Sequence, residues 1–313
     1  MTVNECARTL SAHDNYLILS HTRPDGDTVG SSAALCSALR RRGKRAVMYE
    51  NPELTAHYRA MAAPYLGPAP EGAYAVTVDV AGAEMFPKGC GLERADLCID
   101  HHPGEHPFAP LTLLDHTRAS CGEIVMQVIE ALCGNLTREE ANLLYTALST
   151  DCGCFVYGNT TAETHLAAAH LIDCGAEHFR LNKELFRSFS FSRLKLEGLI
   201  TASMRTYRGN AINIAVVTLD MMRESGATED DCDDLASLAG KVRGNRVSIT
   251  VRELAPGRSK ASVRTDGSVD AAKLCGCFGG GGHKMASGCT LDVGPQELAE
   301  RLLAATEELW PEK

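Results

Sequence analysis

The sequence predicts an α/β protein, with an N-terminal doubly wound, mainly parallel sheet followed by a smaller α/β domain. Short apolar runs alternate with helix-length segments, the pattern of parallel strands joined by crossover helices. The first runs are apolar at nearly every position, as strands covered on both faces are. Chemistry-bearing residues follow these runs directly, at the strand ends where such sheets bind ligands.

The elements follow in order. A short helix is expected over 1–13 and the first strand over 16–20. His21-Thr22-Arg23-Pro24-Asp25-Gly26-Asp27 then reads as a tight turn bent by Pro24 and Gly26, with both carboxylates on it. A helix over 29–42 ends Arg40-Arg41-Arg42-Gly43, cations followed by glycine, a helix stop. Strands are expected over 45–50, 74–80, 95–100 and 111–115, with a Pro/Ala/Gly-rich loop holding one helical turn over 52–72. Helices are expected over 120–132 and from Thr137-Arg138-Glu139-Glu140, a capping box, to Thr150, with two more over 161–174 and 176–189. The domains divide as 1–186, a helical linker 187–204, and 205–313. In the last, strands are expected over 211–219, 247–253 and 260–265, and helices over 231–240 and 295–309, around a glycine run at 279–282.

The chain of 313 residues carries a formal net charge of −9, which argues against wide, non-specific binding of nucleic acid. It leaves room for a small anion held by cations and a few arginines. The N-terminus is polar and no run is long enough to span a membrane, so no membrane partner is expected. The thirteen cysteines are read as reduced thiols in the cytoplasm. Cys152-Gly153-Cys154 and Cys275-Gly276-Cys277 lack zinc-knuckle spacing and read as packed thiols.

Taken singly, Asp-Gly-Asp is ordinary turn chemistry, and Asp79, His101 or Asp151 could be a cap or loop residue. Together His21, Asp25, Asp27, Asp79, His101 and Asp151 bring hard ligands from four segments to one sheet edge. Mixed imidazole and carboxylate suits a pair of divalent cations, Mn²⁺ in particular, with Mg²⁺ or Co²⁺ as substitutes. Such a pair generates hydroxide from water and neutralises a phosphoryl group.

His21 to Asp27, Val78-Asp79, Asp100-His101-His102, Ser149-Thr150-Asp151 and Gly280-Gly281-Gly282-His283 stand in the order of the DHH phosphoesterase superfamily. The chain resembles its two-domain form with the glycine-rich DHH-associated C-terminal domain, over nearly its whole length. The nanoRNase-type subgroup is the most similar. The resemblance implies that His21 and Asp25 hold one metal, that Asp27, His101 and Asp151 hold the other, and that Asp79 bridges them. It implies that His102 contacts the scissile phosphate and protonates the leaving oxygen, with Asp100 orienting His101. In the second domain it implies a grip on the substrate's far end by Gly280, Gly281, Gly282, His283 and Arg264, and by Arg193 from the linker. Cys152 and Cys154 depart from the family's usual residues. The expected substrates are short oligoribonucleotides, cut to mononucleotides, and 3′-phosphoadenosine 5′-phosphate, cut to AMP. Hydrolysis of pApA or cyclic di-AMP, or a catalytically silent nucleotide sensor, stand as alternatives. A homodimer is compatible with this reading.

Overall fold

A computed structural model describes residues 1–232 and 235–310, which fall into two compact units, Met1–Ser188 and Phe189–Lys313. In the first unit α1 (Val3–Ala12) leads to β1 (Tyr16–Leu19), α2 (Gly26–Arg41) to β2 (Ala46–Met48), and α3 (Ala56–Ala62) to β3 (Tyr74–Val78). Then come β4 (Leu97–Asp100), β5 (Leu111–Leu114), α4 (Cys121–Cys133), α5 (Arg138–Asp151), α6 (Ala162–Asp173) and α7 (His178–Phe186).

The five strands form one parallel sheet in the order β2-β1-β3-β4-β5. That order makes β1, β3 and β4 neighbours, so the residues just past them, His21, Asp79 and His101, leave the sheet side by side. One face packs Tyr16, Ile18, Val76, Val78, Leu97 and Ile99 against α1, α2, α4 and α5. The other face differs from a sheet wound by helices on both sides. Leu17, Leu19, Ala75 and Cys98 are covered by Val80, Phe86, Phe108 and Ala109 from irregular segments. The segment between β3 and β4 is broken by Gly82, Pro87, Gly89 and Gly91, and forms only a 3₁₀ turn, Ala83–Met85.

Helix α2 is buried on nearly every side, because small residues let α5 approach it. A Cβ added at Gly30 would lie 2.4 Å from the Leu143 carbonyl oxygen, and one added at Gly26 2.4 Å from Thr150 Oγ1.

The second unit comprises α8 (Phe191–Ser203), β6 (Arg205–Tyr207), β7 (Ile212–Val217), α9 (Leu219–Ser225), β8 (Val247–Ala255), β9 (Arg258–Thr265), α10 (Ala271–Gly276), β10 (Gly281–Gly282), β11 (Ala286–Leu291) and α11 (Pro295–Leu309). Its sheet runs β10-β11-β9-β8-β7-β6, with only β7 and β8 parallel. Leu298, Ala299 and Leu302 of α11 cover one face, and Leu196 and Ile200 of α8 pack with Ala215 and Val217 on the other. The segment read as a linker helix is therefore part of this unit's core. The helix expected over 231–240 is replaced by two 3₁₀ segments, Glu229–Cys232 and Leu235–Lys241, where clustered Asp residues and Gly240 disfavour a regular helix. Residues 233 and 234 of that expected helix, and 311–313 of the expected domain, lie outside the described residues. All thirteen cysteines are free thiols, Cys152 and Cys275 buried and Cys277 exposed. No helix among the described residues is long and apolar enough to cross a membrane.

Candidate metal centre

The segment leaving β1 is fixed by hydrogen bonds on several sides. Asn51 Nδ2 donates to the His21 carbonyl at 2.9 Å and to Ser20 Oγ at 3.2 Å. The Thr28 hydroxyl accepts from His21 N–H at 3.3 Å and donates to the Val78 carbonyl at 2.8 Å, tying this segment to the end of β3. Glu53 accepts from the Thr22 hydroxyl, from Arg23 N–H at 3.2 Å and from Lys88 Nζ at 2.8 Å. Sequence reasoning placed Asp25 and Asp27 together on a turn, but α2 begins at Gly26. Asp25 is its N-cap, with Oδ1 accepting from the N–H groups of Asp27 at 3.0 Å and Thr28 at 3.2 Å. Asp27 therefore sits buried in the first helical turn.

The six residues converge. His21 Nε2 lies 3.6 Å from Asp25 Oδ1 and 3.7 Å from Asp79 Oδ2. His101 Nε2 lies 3.4 Å from Asp79 Oδ1, 3.6 Å from Asp151 Oδ2 and 3.8 Å from Asp27 Oδ2. Asp79 thus turns one oxygen toward each histidine. Two triads result, His21–Asp25–Asp79 and Asp27–His101–Asp151, each with ligand atoms within 4.8 Å of one another. Asp79 adopts a left-handed backbone, φ 62°, a conformation Asp tolerates better than most residues. Its N–H donates to the Ile99 carbonyl at 2.9 Å, which locks the turn that aims its side chain. Asp151 is the last residue of α5, held beside the start of α2 by the close approach at Gly26.

Around these ligands lies a shell that fixes their orientation. His21 Nδ1 lies 2.6 Å from the Thr22 carbonyl and His101 Nδ1 3.2 Å from the Arg118 carbonyl. A carbonyl only accepts, so each Nδ1 carries a proton and each Nε2 faces the cluster, the arrangement of metal-binding histidines. Asp27 accepts from the N–H groups of Cys121 at 2.7 Å and Gly122 at 2.9 Å, at the N-terminus of α4, and from Ser31 Oγ at 3.0 Å. Asp100, expected to orient His101, reaches that residue through its backbone N–H and not its ring. Its Oδ1 accepts from His101 N–H at 2.8 Å, from His102 N–H at 3.3 Å and from His102 Nδ1 at 2.9 Å. Its Oδ2 accepts from His106 Nε2 at 2.6 Å. The Arg118 carbonyl and His106 were missed. A backbone oxygen has no signature in the sequence, and His106 was only one more polar residue in a loop.

The electrostatics calls for cations. Four carboxylates crowd together, Asp27 and Asp79 buried, Asp151 half-buried and Asp25 exposed, and Asp79 Oδ1 is buried with no hydrogen-bond partner among the described residues. Burial, reinforced by the Asp79 and Asp151 charges, pushes Asp27 well above the carboxylate range. Burial and the Asp79 and Asp25 charges push Asp151 to about 7, against the pull of His101. Burial alone would lower the two imidazoles, but the Asp25 and Asp79 carboxylates lift His21 to about 9, and Asp79, Asp27 and Asp151 lift His101 to about 10. The chain without cations therefore gathers protons to offset its own charge. Inward imidazole nitrogens, hard oxygens and an orphaned buried carboxylate oxygen together fit divalent cations.

The substrate residues expected in the second unit fare differently. Arg193 is a correction: it is buried, its Nε donating to Glu197 Oε1 at 2.8 Å and its Nη1 to the Asp231 carbonyl at 2.5 Å, so it is built into the packing of α8. Arg264 and His283 are exposed. Ala286 pairs with Arg264 in the sheet and its carbonyl accepts from His283 N–H at 2.7 Å, which makes the two residues neighbours. The glycines were expected to leave N–H groups free for an anion. Instead Gly279 and Gly280 N–H donate to Gly276 and Cys275 carbonyls at 3.1 and 2.9 Å, and Gly281 and Gly282 form the edge strand of a tight hairpin. A Cβ at Gly280 would lie 2.2 Å from the Gly288 carbonyl oxygen, so close packing requires glycine there.

Residues 15–148 match the DHH family, N-terminal domain, and residues 211–310 match the DHHA1 domain. A Thermus thermophilus protein named bifunctional oligoribonuclease and PAP phosphatase NrnA is 33% identical over 296 residues, 93% of this chain and 89% of that protein. The Bacillus subtilis protein of the same name is 27% identical, over 98% of each chain. In fold, the chain is similar to an exopolyphosphatase-related protein from Bacteroides fragilis, with a TM-score of 0.89, 21% identity and coverage of 99% and 96% of the two chains.

Proposed function

The chain belongs to the DHH family, and on that premise we propose that it is a two-metal phosphoesterase that hydrolyses short oligoribonucleotides to mononucleotides and 3′-phosphoadenosine 5′-phosphate to AMP. The observation that carries this reading is the placement of the two Asp79 oxygens, one before each triad. His21, Asp25 and Asp79 would hold one cation, and Asp27, His101 and Asp151 the other, with Mn²⁺ favoured by the mixed donor set. When bound, the pair supplies a hydroxide nucleophile at neutral pH and offsets charge on the phosphoryl oxygens. Asp79, with one oxygen toward each histidine, would hold the pair in register. His21 and His101 offer Nε2 because the Thr22 and Arg118 carbonyls occupy Nδ1.

His102 is the residue for the leaving group. Its Nδ1–H is engaged by Asp100, and Nε2 has no hydrogen-bond partner among the described residues. The Asp100 hydrogen bond, aided by the Asp79 charge, raises His102 above the ordinary imidazole range against the pull of burial. A His102 ring that carries its Nε2 proton suits protonation of the departing oxygen. Arg264, His283 and the hairpin of Gly280, Gly281 and Gly282 are assigned to the substrate's distal end.

The test is a panel of 5′-labelled oligoribonucleotides from dimers upward, with pApA, cyclic di-AMP and 3′-phosphoadenosine 5′-phosphate, in Mn²⁺ and after chelation. The reading expects metal-dependent release of mononucleotides from the shortest chains and of AMP from the bisphosphate. Nucleotide binding without turnover in Mn²⁺ would overturn it in favour of a silent sensor.

A further inference from the structure

The mechanism above uses Asp100 and His102 but leaves one buried histidine without a task. His106 lies in the loop between β4 and β5, its side chain 2% exposed and its Nε2 2.6 Å from Asp100 Oδ2. Its ring packs edge-on to Phe108 at 5.7 Å, and Phe108 packs edge-on to Phe86 at 5.3 Å in the core on that face of the sheet. The ring is therefore held from behind by the core and meets the Asp100 carboxylate in front, with Cys98 Sγ within 4.8 Å.

Asp100 divides its two oxygens. Oδ1 takes the three donors from His101 and His102, and Oδ2 takes one, from His106. The carboxylate is fully buried. An unmatched oxygen there costs far more than on the surface, so the His106 donor holds the carboxylate in this plane. The plane of the carboxylate in turn sets the direction of the His102 Nδ1–H bond, and so where the ring points Nε2.

We propose that His106 is a positioning residue for His102, acting through Asp100: a His106–Asp100–His102 chain that holds the proton-donating ring in place. The inference rests on the functional reading above. It adds a residue that touches neither cation nor substrate, and it separates Asp100 from the metal ligands in function. No atom of the chain exchanges a covalent bond; His106 Nε2–H is donated to Asp100 and stays on His106.

Two variants test it. His106→Phe keeps the ring and its packing and deletes the donor; His106→Gln restores an N–H donor. With 3′-phosphoadenosine 5′-phosphate and Mn²⁺, His106→Phe should lower kcat about 10- to 100-fold. KM and the Kd for Mn²⁺ should stay near wild type, and His106→Gln should recover most of the loss. An independent readout is the downfield Nδ1–H proton resonance of His102 in Mg²⁺-loaded protein, assigned by its absence from His102→Asn. It should persist in wild type and His106→Gln and shift or vanish in His106→Phe. Unchanged kcat and an unmoved resonance in His106→Phe would overturn the proposal, and so would a loss of turnover that tracks loss of Mn²⁺ binding or equals that in His106→Gln. Wild-type protein that hydrolyses no phosphoester would overturn the functional reading instead, while the resonance would still judge His106.

Discussion

At the scale of single residues, Asp79 carries the site. Its left-handed φ favours Asn as the informative replacement, since Asn tolerates that backbone and Ala would add about 1–2 kcal/mol of strain. Asp79→Asn should abolish hydrolysis while changing the melting temperature of chelator-treated protein little, because the repulsion relieved at Asp27 and Asp151 offsets the attraction lost to His21 and His101. A melting temperature lowered by several degrees would assign Asp79 a structural role instead. The protonation of the metal-free site gives a second prediction. The raised His21 and His101 values, about 9 and about 10, mean that their contribution to stability is whole below the unfolded imidazole value near 6.5 and is lost as pH rises through 9 and 10. Asp151, raised to about 7, acts in the same direction, its contribution fading as pH climbs from the carboxylate range through 7. Cations need those groups deprotonated, so their affinity moves the opposite way. From about pH 6 to about pH 9, chelator-treated protein should melt at progressively lower temperature while the gain on adding Mn²⁺ widens. A gain independent of pH would contradict the coupling. The six ligands were legible only together, as hard donors recurring after strands and at helix ends in the order of the family that the chain resembles. Their orientation by the Thr22 and Arg118 carbonyls was not, since any residue type supplies a carbonyl.

At the scale of elements, the close approach of α2 and α5 does the positioning. Gly26 and Gly30 both face α5 at distances that leave no room for a methyl group, but only Gly26 lies beside Thr150 and Asp151. Gly26→Ala and Gly30→Ala should each destabilise the protein by about 1–3 kcal/mol. Gly26→Ala should also weaken Mn²⁺ binding measurably, and Gly30→Ala should spare it. Equal effects on binding would mean that the α2–α5 contact does not set the position of Asp151. The strands of the first unit were legible from their apolar runs, and α5 and α11 from a capping box and a proline start. The hairpin of β10 and β11 was not. Gly281 and Gly282 carry no side chains, so they show no hydrophobic alternation, and only the tight contacts across the pair reveal a strand. The short helices α9 and α10 escaped for a related reason: six or seven residues are too few to display a period.

At the scale of the whole molecule, two units each have their own core, and the formal charge is −9. The division was blurred in the sequence because the amphipathic α8 reads equally well as a connector. Its Leu196 and Ile200, packed with Met222 and Leu238, place it in the second unit. An acidic chain that binds a short substrate through cations and a few exposed side chains releases few counterions. The salt dependence of KM for 3′-phosphoadenosine 5′-phosphate should therefore be shallow, with a log–log slope of about 1–3 in magnitude. Long single-stranded RNA should compete poorly. A steep slope with strong competition by long RNA would reveal an extended basic track that this chain is not expected to have.

The central claim is that two cations share Asp79, and Mn²⁺ titration followed by electron paramagnetic resonance tests it most directly. The account predicts two Mn²⁺ bound per chain with an exchange-coupled signal, as expected for ions about 3.5–4 Å apart, and loss of that coupling in Asp79→Asn. A single bound Mn²⁺, or two whose spectra are magnetically independent in the wild-type protein, would contradict it.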